Sequence, residues 1–221
     1  MQVDFCDFPD DVLYDFENNV WVRLESKYTV LGINSIHASL AGRLVKINFK
    51  PVTSIVAKGQ SVATVESVKY FGAVRTPLSC RIIEVNGTLQ SRPKLANDYP
   101  YSEGWFVRIQ PTVLDEEIHG LTSPRGSEEK IRSVIRNLRV RCFKAYPDHE
   151  LWEIGVECAA VLVRLNELIE RCALGDVVHV VSDDPTADIE MVRWSDETGQ
   201  EVLESRQEGN LMHFIVKKVM E

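Results

Sequence analysis

Two side chains of this 221-residue chain stand where covalent chemistry is possible: the Lys69 amine and the Cys158 thiol. Lys69 lies in Val65-Glu66-Ser67-Val68-Lys69-Tyr70. Before it a run carrying Val62 and Val65 follows a turn at Lys58-Gly59; after it Gly72-Ala73-Val74-Arg75 breaks at Thr76-Pro77. Two short strand-like runs about a polar step predict a hairpin with Lys69 at its exposed tip. An amine held there on rigid strands can carry a long arm through an amide bond. A single lysine in a hairpin is by default an ordinary solvated side chain, so the assignment depends on its neighbours. Cys158 ends Gly155-Val156-Glu157-Cys158, where a short strand gives way to a helix. Unpaired amides and the dipole at a helix start favour the thiolate, the nucleophilic form of the group. The adjacent Glu157 carboxylate acts the other way and pushes the thiol pKa up. The alternative for Cys158 is a buried, inert cysteine that only packs at the helix start.

The elements that must hold these groups fall into two sets. The first half alternates short apolar runs with turns (Arg43 to Phe49, Val62 to Val65, Arg81 to Val85, Trp105 to Ile109), which predicts an all-β module. Gly120, Pro124 and Gly126 mark a boundary region. Ser127-Glu128-Glu129-Lys130 then offers a helix start with acidic residues in its first turn. Ile131, Val134, Ile135 and Leu138 follow at helical spacing, with Arg132, Arg136, Arg139 and Arg141 as a basic flank. This amphipathic helix is expected as a connector packed on one of the domains, or as a docking site for an acidic partner. Beyond it the pattern predicts a strand over 150–156, a helix over 159–171 and a strand over 177–182. A short helix over 187–195 and two strands, 200–205 and 211–217, complete the order β-α-β-α-β-β, a two-layer sandwich. The expected division is therefore 1–115, a 116–149 linker with the connector helix, and 150–221.

Composition narrows the function classes. The hydrophobic share of 44% and the charged share of 26% are ordinary for globular domains. Residues 1–115 hold 12 basic and 12 acidic side chains; residues 116–221 hold 13 and 21, which accounts for the whole net charge of −8. An acidic C-terminal domain repels phosphates, so nucleic acid is not an expected partner; a basic protein is one, and simple solubility is the other use of such charge. No apolar run approaches the ~18 residues a membrane span needs. The acidic Met1-Gln2-Val3-Asp4 start lacks the order of a signal peptide, so the cytoplasm is the expected compartment. Five cysteines (Cys6, Cys80, Cys142, Cys158, Cys172) form no Cys-x-x-Cys pair, and their odd number argues against a disulfide framework. Cys142 and Cys172 read as helix-face packing. The five histidines show no ligand spacing, so no metal site is expected. There is no Gly-rich phosphate loop or Gly-x-Ser-x-Gly elbow, and nothing that resembles a self-contained enzyme site.

The residues around Lys69 carry a resemblance. Trp21-Val22-Arg23, Gly42, Gly59, Glu66-Ser67-Val68-Lys69, Pro77-Leu78-Ser79, Glu84-Val85-Asn86, Asn97, Pro100-Tyr101 and Glu103-Gly104-Trp105 resemble the glycine-cleavage H protein and related lipoyl carriers over about residues 20–110. That resemblance implies a flattened β barrel-sandwich, lipoate covalently attached to Lys69, and recognition of Glu66 by the attaching lipoate ligase or lipoyl-synthesis machinery. Ala73 stands where an acidic residue is usual, and Cys80 where glycine is usual. A second resemblance, to the TusA/SirA sulfur carriers, covers about residues 150–219. It rests on Gly155-Val156-Glu157-Cys158, Gly175-Asp176, Asp183-Asp184-Pro185, Trp194, Gly199 and Phe214 to Lys218. It implies that Cys158 carries a persulfide, although Cys158-Ala159-Ala160-Val161 replaces the family's Cys-Pro-x-Pro.

Together the two resemblances imply an α+β multidomain carrier, not an enzyme, that moves sulfur between a Cys158 thiol and a lipoyl arm on Lys69. Its partners would be sulfurtransferases or sulfur-oxidising enzymes. Two alternatives remain. One is a glycine-cleavage carrier of an aminomethyl group with a passive second domain; the other is a second domain that serves only for docking.

Overall fold

The computed structural model describes residues 1–221. They divide into two compact units, Met1–Cys142 and Phe143–Glu221.

The first unit runs β1 (Gln2–Val3), β2 (Cys6–Asp7), β3 (Leu13–Asp15), β4 (Val20–Leu24), β5 (Thr29–Ile33), α1 (Ser35–Ala41), β6 (Leu44–Phe49), β7 (Ile55–Val56), β8 (Ser61–Ser67), β9 (Phe71–Arg75) and β10 (Cys80–Val85). It continues with α2 (Thr88–Ser91), α3 (Leu95–Asp98), β11 (Val107–Pro111), α4 (Leu114–Glu117), a 3₁₀ turn and α5 (Glu128–Leu138). Strands pair in the order β3-β4-β5-β11-β10-β7 in one sheet and β6-β8-β9 in another, all antiparallel. Leu31, Ile33, Ile82 and Ile109 of the larger sheet and Ile47, Val62, Val65 and Val74 of the smaller one share a single core. Hydrogen bonding stops at β3 and β7 on one sheet and at β6 and β9 on the other, so no barrel closes. With five α-helices among the strands, the unit is α+β where the turn-rich pattern predicts all-β.

Strands β4 and β5 are buried on both faces, which the alternation rule explains. Val20, Val22, Leu31 and Ile33 face the shared core, while Trp21 and Val30 face a second apolar cluster. Trp21 pairs with Gly32 across the ladder, and its indole occupies the space where a Cβ on Gly32 would lie. The N-terminal segment (Phe8, Tyr14, Phe16) and helix α5 (Ile131, Ile135) build this second cluster. The amphipathic helix therefore belongs to the first unit, its apolar stripe inward and Arg132 paired with Asp4 at 2.7 Å. A disulfide between Cys6 and Cys142 lies in the same cluster. This corrects the expectation drawn from the cysteine count. An odd number excludes complete pairing, not one bridge, and Cys142 sits past the end of α5, in the segment brought back to β2.

The second unit runs β12 (His149–Glu153), α6 (Cys158–Arg171), β13 (Val177–Ser182), α7 (Ala187–Thr198), β14 (Glu201–Glu208) and β15 (Leu211–Lys217). The sheet order is β12-β13-β15-β14, with β12 and β13 parallel and the other pairs antiparallel. Val161, Leu165 and Ile169 of α6 and Met191 and Trp194 of α7 pack on Val178, Val180, Phe214 and Val216. The Trp194 indole donates to Asn166 Oδ1 at 2.7 Å and ties the two helices together. On the opposite sheet face His179 Nε2 and His213 Nδ1 lie 2.9 Å apart, both buried. No helix of either unit is long and apolar enough to cross a membrane.

Candidate functional site

Strands β8 and β9 form the hairpin that carries Lys69. Val62, Ala63, Val65 and Val74 are buried and fix the register, in which Glu66 faces Phe71 and Val65 faces Gly72. The tip is closed by Ser67, whose amide donates to the Tyr70 carbonyl at 2.8 Å. Its hydroxyl accepts the Lys69 and Tyr70 amides at 3.2 and 3.1 Å. A serine hydroxyl that gathers successive amides stabilises a tight turn, which gives Ser67 a physical role before lysine. Tyr70 folds back over the sheet against the core, and a Cβ on Gly72 would collide with its ring. The Tyr70 hydroxyl lies 3.5 Å from Nε2 of buried His37. Burial holds the His37 pKa down, at about 4, so this ring is neutral near pH 7.

Lys69 is exposed on this anchored tip, between Val68 at 90% and Phe71 at 72% exposure. Glu66, half-buried on β8, faces Lys46 across the ladder with 4.0 Å between Nζ and Oε2. Cys80, at the start of β10, is buried in the core beside Thr76, and burial pushes its thiol pKa up.

Cys158 belongs to the second unit. It is the first residue of α6, and Glu157 at the cap position makes no side-chain bond to the helix. The helix start is instead satisfied by Asp184, whose Oδ2 accepts the Cys158 amide at 2.8 Å while Oδ1 accepts the Thr186 amide and hydroxyl. Asp183 accepts the Gly155 amide at 2.7 Å. These hydrogen bonds, those from Thr186 first, hold the Asp184 pKa below the usual carboxylate range. The Cys158 side chain is buried. Desolvation first, then the Asp184 and Glu190 charges, raise its thiol pKa. Burial and these charges act against the activation expected at a helix start, and the opposing carboxylates are Asp184 and Glu190, not Glu157. Two further features are poorly marked in the sequence. Asp184 shows as a turn residue with no sign of its reach to Cys158, and Tyr70 and His37 meet only through the fold.

Known protein families match the two units separately. The family model described as Glycine cleavage H-protein matches residues 12–134, and the one described as Sulfurtransferase TusA matches residues 153–218. Glycine cleavage system H protein 5 of Aquifex aeolicus is 34% identical over 145 residues, 64% of this chain and 98% of that protein. Probable glycine cleavage system H protein 2 of Saccharolobus solfataricus is 34% identical over 140 residues, 62% and 94% of the two chains. Among solved structures, a glycine cleavage system H protein from Mycobacterium marinum is 26% identical with a TM-score of 0.51, covering 57% of this chain and 99% of its own. The chain belongs to the glycine cleavage H-protein family, with a TusA-type sulfur-carrier domain fused behind the H-protein unit.

Proposed function

We propose that this chain is a covalent carrier, not an enzyme, in which a lipoyl arm on Lys69 and a persulfide on Cys158 hand sulfur between partner enzymes. The observation that carries the proposal is the joining of two handles on one chain: an exposed lysine on an anchored hairpin tip, and a thiol at the start of α6. The residues around Lys69 fit the group. Ser67 holds the turn, Tyr70 and Gly72 lock it to the sheet, and Glu66 offers the attaching enzyme a charge on the same hairpin. Lipoate would supply a dithiolane whose S–S bond exchanges with an attacking thiolate or persulfide, one ring sulfur leaving as a thiolate, so that no outside reductant is needed. Cys158 would accept a sulfane sulfur from a donor persulfide and release it to an acceptor thiol; its own thiol returns, the acceptor gains the sulfur, and no net electrons move. Tethering makes such an encounter intramolecular, with an effective concentration of ~mM for short linkers.

Intact mass measurement on protein made with a lipoate-attaching enzyme tests the first half: wild type gains one lipoyl group and Lys69→Arg gains none. Treatment with a sulfane-sulfur donor tests the second, with added sulfur expected at Cys158 by peptide mapping. A bare Lys69 ends the proposal. An unmodified Cys158 on lipoylated protein ends its sulfur half.

One observation favours a different role. A buried thiol beside the Asp184 carboxylate is a weak nucleophile, as expected if the second unit only docks and the arm carries an aminomethyl group. Reconstituted glycine decarboxylation that depends on the lipoylated chain would support that role; the sulfur proposal expects little turnover.

A further inference from the structure

The fold gathers a second group of reactive side chains in the C-terminal unit, at the opposite end of α6 from Cys158. His149 opens β12, Cys172 follows the last residue of α6, and Asp176 precedes β13. One imidazole nitrogen, the thiol sulfur and one carboxylate oxygen all lie within 4.8 Å of one another. We propose that His149, Cys172 and Asp176 form a binding site for a borderline-soft divalent cation, Zn²⁺, with a fourth position left to water or an external thiolate. This inference is independent of the carrier role.

The donor set suits such an ion: zinc takes nitrogen, sulfur and oxygen ligands at about 2.0–2.3 Å and keeps a fourth position open when a site has three protein ligands. Cys172 is buried, while His149 and Asp176 are partly exposed, so an ion can reach the group from solvent. The site is also held by backbone. The Gly175 amide donates to the Lys218 carbonyl at 2.8 Å, the Lys218 amide to the Asp176 carbonyl at 2.9 Å, and the Asp176 amide to the Ala173 carbonyl at 3.0 Å. The Asp176 carboxylate accepts the Ala173 amide at 3.0 Å and lies 3.2 Å from His149 Nε2. Such bonds fix ligand direction before an ion arrives, as second-shell partners do in metal sites. The Lys218 ammonium is spent on the Cys172 carbonyl at 3.0 Å. Its positive charge opposes the ion, and the carboxylate of Asp148, which also acts on Cys172, offsets it. Binding would displace the thiol proton of Cys172, so affinity must fall as the pH is lowered.

The test uses the full chain with Co²⁺ and Zn²⁺ alone. The expected result is a thiolate-to-cobalt charge-transfer band that saturates at about one ion per chain and is bleached by Zn²⁺. Cys172→Ser removes the band. His149→Gln and Asp176→Asn weaken Zn²⁺, measured against a chromophoric chelator, by about tenfold or more. Cys80→Ser and Cys158→Ser leave both readouts unchanged. The proposal is overturned if wild type shows no band at one equivalent, if the band survives Cys172→Ser or vanishes with Cys158→Ser. Should Cys172→Ser fail to fold by circular dichroism, the other two variants decide, and unchanged Zn²⁺ affinity in both overturns the site.

Discussion

At the scale of single residues, burial sets the chemistry more than neighbouring sequence does. Cys158 has its pKa raised by desolvation and then by Asp184 and Glu190, so less of it is thiolate at neutral pH than in an exposed cysteine. Its alkylation at pH 7.5 should run slower than that of a free model thiol, under conditions that spare Cys80 and Cys172. Asp184→Asn removes one opposing charge but keeps an acceptor for the Cys158 amide, and the rate should rise severalfold. An unchanged rate would show that Asp184 exerts no electrostatic control. His37 gives a second case with the opposite protonation chemistry. Its folded pKa of about 4 lies below its ordinary 6.5, so the unfolded chain binds the proton more readily. Its contribution is whole above pH 6.5 and is lost as the pH falls towards 4, at a cost of about 2 kcal/mol by pH 5. Urea unfolding at pH 7 and 5 should show that loss in wild type and a smaller one in His37→Gln; equal losses would remove His37 from the account.

At the scale of elements, the lysine hairpin depends on a ring that sequence alone does not place. Gly72→Val puts a side chain where the Tyr70 ring lies, so the ring must move. The first unit should lose about 1–3 kcal/mol, and the lipoylation proposed for Lys69 should slow although Lys69 itself is untouched. Wild-type lipoylation in a stable Gly72→Val protein would mean that the anchor has no bearing on the tip. The hairpin was legible in the sequence because two short apolar runs bounded by turn residues flank a polar step, and β13 and β15 matched the expected spans because each is likewise a short apolar run between turn residues. Strands β4 and β5 hid their partner. Buried on both faces, they show continuous apolar runs that do not reveal that α5 covers the outer one. The small helices α1 to α4 were equally hidden, since elements of four to seven residues carry too little periodicity to read. Asp184 and the His149–Cys172–Asp176 group are products of topology, brought together from positions without ligand spacing.

At the scale of the whole molecule, each unit has its own core, and a single cross-link closes only one of them. Cys6 lies near the start of the first unit and Cys142 is its last residue, 136 positions apart. The bridge therefore joins the exit of the unit to β2. A closed loop of this length removes chain entropy from the unfolded state equivalent to about 4–5 kcal/mol, the order found for loops near a hundred residues. Cys6→Ser with Cys142→Ser should lower the unfolding midpoint of the first unit by the corresponding amount. Tyrosine and tryptophan signals from Tyr14 and Trp21 report that transition, because both side chains lie in the cluster that holds the bridge. The transition of the second unit, followed through Trp194 in its own core, should stay where it was, since no loop within it has been opened. A shift of both transitions together would show that the two cores unfold as one cooperative body, and that the bridge acts on the chain as a whole.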